Sequence, residues 1–243
     1  MNTGTVRSLF TLIVSGALGS LGTTGCAAAA DDEADVADDA EELAAPSALK
    51  KASEDITDFY KVRKGLYRGA VPGEKVGKQG LLDLKAVGVR TIVNLQSGSS
   101  IDGDNQAEID SDEKWAKEVG LRWIHKPLRT TPVHDEAFDQ KLADIEEILD
   151  PKHRSKYGAV YVHCKHGHDR TGLVVGIERV KFDLWKPEMA FGEMLCRQYH
   201  PEFLTMNKAF RHATGWNPNN PLNTAFYWLY KSEYASKYGA VCK

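Results

Sequence analysis

Val160-Tyr161-Val162-His163-Cys164-Lys165-His166-Gly167-His168-Asp169-Arg170-Thr171-Gly172-Leu173-Val174-Val175-Gly176 is the stretch that decides the fold. A short apolar run of strand character ends at Cys164. A polar loop with a central glycine follows, and a second apolar run of helical character begins near Arg170. Backbone N–H groups of such a loop, meeting at a helix N-terminus, make an anion site. A cysteine at its edge is favoured as thiolate by the same field, and thiolate is the nucleophilic form. Arg170 adds a planar fork that matches two oxygens of a phosphate.

On either side of this stretch, strand-like and helix-like patterns alternate. Residues 59–62 and 66–70 read as strands joined by the hairpin signal Arg63-Lys64-Gly65. Residues 89–95, 121–125 and 159–163 read as further strands. Apolar residues at helical spacing predict helices over 74–87, 105–119, 134–149, 173–182, 187–199, 204–214 and 222–234. Alternation of this kind implies an α/β fold, with a central, mostly parallel sheet flanked by helices. No Pro/Gly/Ser-rich linker divides residues 54–243, which are expected to form one domain.

The loop resembles the signature of the cysteine-dependent protein phosphatases, above all their dual-specificity branch: His-Cys, five residues, Arg, then Ser or Thr. Here these are His163, Cys164, residues 165–169, Arg170 and Thr171. Leu66-Tyr67-Arg68-Gly69-Ala70-Val71-Pro72 is similar to that family's opening strand, and residues 89–95 to its next core strand. The resemblance covers about residues 56 to 200. It implies a phosphocysteine intermediate on Cys164, with phosphate binding and transition-state stabilisation by Arg170. Thr171 would assist the sulfur as leaving group. His163 would fix the loop, and Gly167 would let backbone approach the phosphate. No metal or other cofactor is implied.

The general acid is open. Counting from the strand end at His125 puts Thr130 at the family's acid position, a departure from its pattern. Counting from the following helix favours Asp135, for which helix capping is an equal reading. Asp169, just before Arg170, is the second candidate. Asp102 and Asp104 are weaker ones. Lys165, His166 and His168 form a basic rim around the expected phosphate site formed by residues 165–170, which would reward a second phosphate on the substrate. Protein phosphotyrosine-type substrates come first and inositol lipids or inositol phosphates second. A catalytically inactive phosphate-binding module, an arsenate reductase or a sulfurtransferase are the competing readings.

The chain is 42% hydrophobic and 27% charged, an ordinary globular balance, with formal net charge −3. Residues 1–53 hold eight acidic and three basic residues, so the rest is close to neutral. That lacks the basic stripe of a nucleic-acid binder. Arg7, the apolar residues 9–19 and a small-residue stretch before Cys26 have the form of an export signal, too short to span a bilayer. Residues 23–27 resemble a bacterial lipoprotein site, with Thr23 where leucine is usual. Residues 1–26 are thus expected to direct export and acylation of Cys26, holding the protein on a membrane of the cell envelope. Residues 27–53, dominated by the acidic run 31–42, are expected to be a disordered tether. With Cys26 acylated and Cys164 free, Cys196 and Cys242 are expected to form a disulfide.

Overall fold

The computed structural model describes residues 46–130 and 134–216. Its sheet is built around β5 (Ala159–His163), whose five residues are all buried. The strand order is β1-β2-β5-β3-β4, with β1 Tyr60–Arg63, β2 Leu66–Gly69, β3 Val89–Asn94 and β4 Arg122–His125. β1 and β2 form an antiparallel hairpin. The β2–β5, β5–β3 and β3–β4 pairs are parallel, so four strands end at the same edge. A central parallel strand is covered on both faces, which is why β5 carries no solvent-facing polar residue.

Strand alternation divides the core in two. Val160 and Val162 of β5 face one cluster with Leu66 and Val93, covered by helices from the second half of the chain. Ala159 and Tyr161 face the other, with Tyr67, Val89 and Ile92. That second face is covered by α1 (Pro46–Asp55), α2 (Lys78–Ala86) and α3 (Gln106–Val119). The first is covered by α4 (Glu136–Leu149), α6 (Asp169–Lys181), α7 (Pro187–Cys196) and α8 (Leu204–Thr214), while the single turn α5 (Arg154–Tyr157) leads into β5. Among the described residues no helix is long and apolar enough to cross a membrane.

The departures from the sequence reading have local causes. The tether expected to run to residue 53 gives way at Pro46 to α1. Ala48, Leu49, Ala52 and Ile56 lie on one helical face, and Ala52 and Ile56 are buried with Leu81 and Leu84. The acidic run ends at Glu42, only four residues before the helix begins. α6 starts four residues earlier than expected because its first turn is polar but buried, with Arg170, Thr171 and Gly172 inside. α7 stops at Cys196 rather than 199, and Gln198 takes a positive φ of 65°. Cys196 is disulfide-bonded. Cys242, its expected partner, lies outside the described residues, as do Cys26, residues 1–45 and the helix expected over 222–234.

One buried ion cluster ties α6 and α7 to the sheet. Arg179 donates from Nε and Nη2 to the two carboxylate oxygens of Glu193, at 2.9 and 2.8 Å, and from Nη1 to the Val62 carbonyl and Asp183. Removing one partner of such a pair leaves the other buried and uncompensated, at about 3–5 kcal/mol. Arg179→Met should therefore lower urea stability by that order. The double variant Arg179→Met/Glu193→Leu should recover most of the loss. A double variant as unstable as the single one would show that the helix packing, not the ion pair, is at stake.

Candidate active site

Cys164 follows β5 directly and is buried. The loop it opens is held from both flanking strands. The Leu95 N–H after β3 donates to the His163 carbonyl at 2.8 Å, and the Val71 N–H after β2 donates to the Lys165 carbonyl at 3.1 Å. Gly167 has φ +78°, and a Cβ there would lie 2.5 Å from the Gly69 carbonyl carbon. Glycine is required twice over, by the backbone angle and by contact with a strand that cannot yield. Arg68, itself buried, donates from Nη2 to the Gly167 carbonyl at 2.5 Å. Burial pushes the Arg68 guanidinium below its usual range, opposed by Glu193.

His163 is fully buried. Its Nδ1 donates to the Cys164 carbonyl at 3.1 Å, and its Nε2 lies 3.2 Å from the buried carboxylate of Asp112. The Thr171 hydroxyl is buried with no hydrogen-bond partner among the described residues. That leaves it available to a sulfur or phosphate oxygen. Arg170 is held in place end-on: Nη1 and Nη2 donate to the two oxygens of Asp104 at 2.5 and 2.9 Å. Its Nε is buried with no hydrogen-bond partner among the described residues. Burial opposes the Arg170 charge, but Asp104, Cys164 and Asp102 overcome it and raise its pKa. Burial likewise opposes ionisation of Asp104. Arg170 and the Ser97 donors outweigh it and hold the carboxyl below its usual range.

These groups surround a cavity of about 270 Å³. Cys164 and Arg170 line it together with His166, Asp169, Asp102 and Thr130. Ile101 and Phe203 add apolar wall, and His200 and Glu202 polar rim. Of the expected rim, only His166 lines the cavity. Lys165 lies 3.6 Å from Glu108, and His168 pairs with Asp58. The basic rim is therefore smaller than the sequence implied, because two of its side chains are neutralised by neighbours distant in sequence.

The acid candidates separate. Asp135 is exposed, caps α4 by accepting from the Phe138 N–H at 2.9 Å, and is not among the cavity residues. The structure thus favours the capping reading over the catalytic one. Thr130, at the family's acid position, donates from its backbone and hydroxyl to one oxygen of Asp102, while Ser97 holds the other. The Asp102 side chain is 0% exposed. Burial would raise its pKa, but the Ser97 and Thr130 hydrogen bonds and the Arg170 charge bring it below the ordinary value. The Asp169 side chain is 17% exposed and opens onto the cavity. Its Oδ1 accepts from the backbone N–H and Nδ1 of His200, at 2.8 and 3.0 Å.

Sequence reasoning missed Arg68, Asp112 and His200. Two left a signal: Arg68 is a charge inside the short strand stretch Leu66-Tyr67-Arg68-Gly69-Ala70, and Asp112 sits in helical register with Ile109, Ala116 and Val119, the inner face of α3. His200 left none, since a bend between helices positions it.

No family model matches the sequence. The chain is similar to the dual specificity protein phosphatase TpbA of Pseudomonas aeruginosa, 27% identical over 157 residues. The alignment covers 64% of this chain and 62% of TpbA. The chain thus spans less than two thirds of the curated relatives it matches. Among solved structures, P. aeruginosa TpbA aligns at 22% identity and TM-score 0.46, covering 74% of this chain and 91% of that one. The catalytic core of the S. cerevisiae PP-IP phosphatase SIW14 aligns at 19% identity and TM-score 0.42, covering 76% and 94%.

The Asp104–Arg170 pair makes a pH prediction. Because the Asp104 carboxyl titrates lower in the folded chain, its stabilisation is complete above the ordinary carboxylate range. It is lost as pH falls towards the depressed folded value. Asp104→Asn should lower stability at neutral pH by about 3–5 kcal/mol and flatten its decline on acidification. Parallel stability–pH curves for the two proteins in urea titrations would refute the assignment.

Proposed function

We propose that this chain, a member of the cysteine-dependent phosphatase superfamily, hydrolyses phosphate monoesters of the protein-tyrosine and dual-specificity type through a phosphocysteine intermediate. The observation that carries the reading is one cavity lined by Cys164, Arg170 and Asp169 at the start of α6, with the Arg170 Nε and the Thr171 hydroxyl buried beside it without a hydrogen-bond partner among the described residues. Loop N–H groups and the N-terminal end of α6 would receive a phosphate dianion, and Arg170 would bind its equatorial oxygens. The Cys164 sulfur forms a bond to phosphorus as the ester P–O bond breaks, and the leaving oxygen takes a proton. Water then attacks phosphorus, releasing inorganic phosphate and the thiolate, and its proton returns to the acid.

Asp169 is proposed as that acid. Its carboxylate is accessible from the cavity and oriented by His200, whereas Asp102 is sealed and fully hydrogen-bonded and Asp135 is engaged as a cap. Asp102 and Asp104 are read as positioning residues that set Thr130 and the Arg170 fork. Ile101 and Phe203 suit an aromatic leaving group. With Lys165, His168 and His200 all paired with carboxylates, a substrate bearing several phosphates finds only His166 in excess among the residues lining the cavity, so the inositol polyphosphate reading stays second. Export and acylation at Cys26 are proposed on the sequence pattern alone. Labelling with a fatty-acid analogue, lost in Cys26→Ala, tests that step.

The chemistry is tested by kinetics on two leaving groups. Cys164→Ser should abolish turnover while retaining binding of inorganic phosphate. Asp169→Asn should cut kcat about 10²–10⁴-fold on phosphotyrosine peptide. The loss should be much smaller on an aryl phosphate whose leaving group needs no proton. Asp135→Ala should lower stability by about 1 kcal/mol and leave kcat unchanged. Turnover by Cys164→Ser would overturn the mechanism. A leaving-group-independent loss in Asp169→Asn would overturn the acid assignment.

A further inference from the structure

Away from the cavity, two histidines and one carboxylate meet at a single point. Asp139 is in the first turn of α4, His134 immediately precedes that helix, and His212 is in the last turn of α8. His134 Nε2 lies 2.6 Å from Asp139 Oδ1, and His212 Nδ1 lies 2.9 Å from Asp139 Oδ2. One potential ligand atom from each residue falls within 4.8 Å of the other two. The imidazoles stand edge to face, 5.5 Å between ring centres. The His134 ring also packs edge-on against Phe138, which is buried in the core.

We propose that His134, Asp139 and His212 form a binding site for a divalent cation of the zinc type. Two imidazoles and a carboxylate are a borderline donor set, suited to zinc rather than to calcium or magnesium, which take oxygen ligands. Three protein ligands leave a fourth position for water. Tetrahedral bonds of about 2.0–2.1 Å set ligand atoms roughly 3.3 Å apart. The two histidine–carboxylate contacts, made to different oxygens of Asp139, open by less than about 1 Å, and the widest separation among the ligand atoms, at most 4.8 Å, closes by at most about 1.5 Å to admit the ion. Each ring nitrogen becomes a ligand when its proton sits on the ring's other nitrogen, with no covalent or redox change. The last turn of α8, the negative end of that helix, favours a cation beside His212.

The placement gives the ion a job. The segment before His134 carries Thr130, and the segment before α8 carries His200 and Phe203, all of which line the cavity. A cation held by His134, Asp139 and His212 clips these two segments together, outside the cavity itself. None of the three ligands lines the cavity, so the site stands independently of the phosphatase reading.

The test uses the full chain as its Cys164→Ser variant, which removes the reactive thiol as a rival ligand. After treatment with a chelator, Co²⁺ is titrated and followed by visible absorption, and Zn²⁺ by calorimetry. One equivalent should bind, with the absorption of tetrahedral Co²⁺. His134→Ala, His212→Ala and Asp139→Asn should each weaken binding at least about tenfold, the smallest loss known for outer-shell partners. His166→Ala and His200→Ala should leave it unchanged. Absence of binding, or unchanged affinity in His134→Ala/His212→Ala, overturns the site. Should that double variant fail to fold, His212→Ala alone decides, because the His212 side chain is 67% exposed; undiminished binding there overturns the site equally.

Discussion

The close approach of Gly167 to the end of β2 is the constraint on which the rest of the site depends. No side chain fits between the loop and the Gly69–Ala70 backbone, so the loop lies directly on the sheet edge. Arg68 closes the contact from below by holding the Gly167 carbonyl. Strand order makes this possible: with β5 between β2 and β3, the loop after β5 has a strand end on each side to bond to. The Cys164 thiol, the loop N–H groups and the start of α6 are thereby fixed before any ligand arrives, which is what electrostatic preorganisation requires.

A second layer of buried charge orients what the loop presents. Arg170 would be free to swing were it not gripped by Asp104, and Asp104 is itself held by the Ser97 backbone and hydroxyl. Asp112 stands behind His163, and His163 holds the Cys164 carbonyl. Each of these carboxylates would be costly to bury alone. Asp104 with its Arg170 and Ser97 partners, and Asp112 set 3.2 Å from His163, turn residues with many rotamers into a rigid frame, the supporting shell that sites of this kind need.

Much of this was legible before the coordinates. Period-two and period-3.6 patterns placed all five strands and the helices from α2 onward, apart from the single turn α5, because apolar residues there follow the faces they bury. The meeting of Cys164, Gly167 and Arg170 in one loop was legible because their spacing is dictated by the loop itself. What was hidden depends on contacts between distant segments. Lys165 and His168 read as rim charges because their partners, Glu108 and Asp58, come from elsewhere in the chain. Asp104 was ranked low because its loop is rich in Gly, Ser and Asp, a composition that gives no hint of a carboxylate facing inward. α1 was taken for tether because the acidic run masks how soon apolar spacing begins.

The contact between Arg68 and Gly167 spans 99 residues, and its direction along the chain has a consequence for biosynthesis. Made from the N-terminus, the chain lays down β2, β3 and the Asp104 loop well before Cys164. Every surface that the nucleophilic loop rests upon is thus already synthesised when the cysteine appears. The rest of the loop, Arg170, Thr171 and α6 follow it, and then the His200 segment and the later helices. Cys164 therefore meets a sheet edge that is already made, and its cradle is completed by the residues that come directly after it.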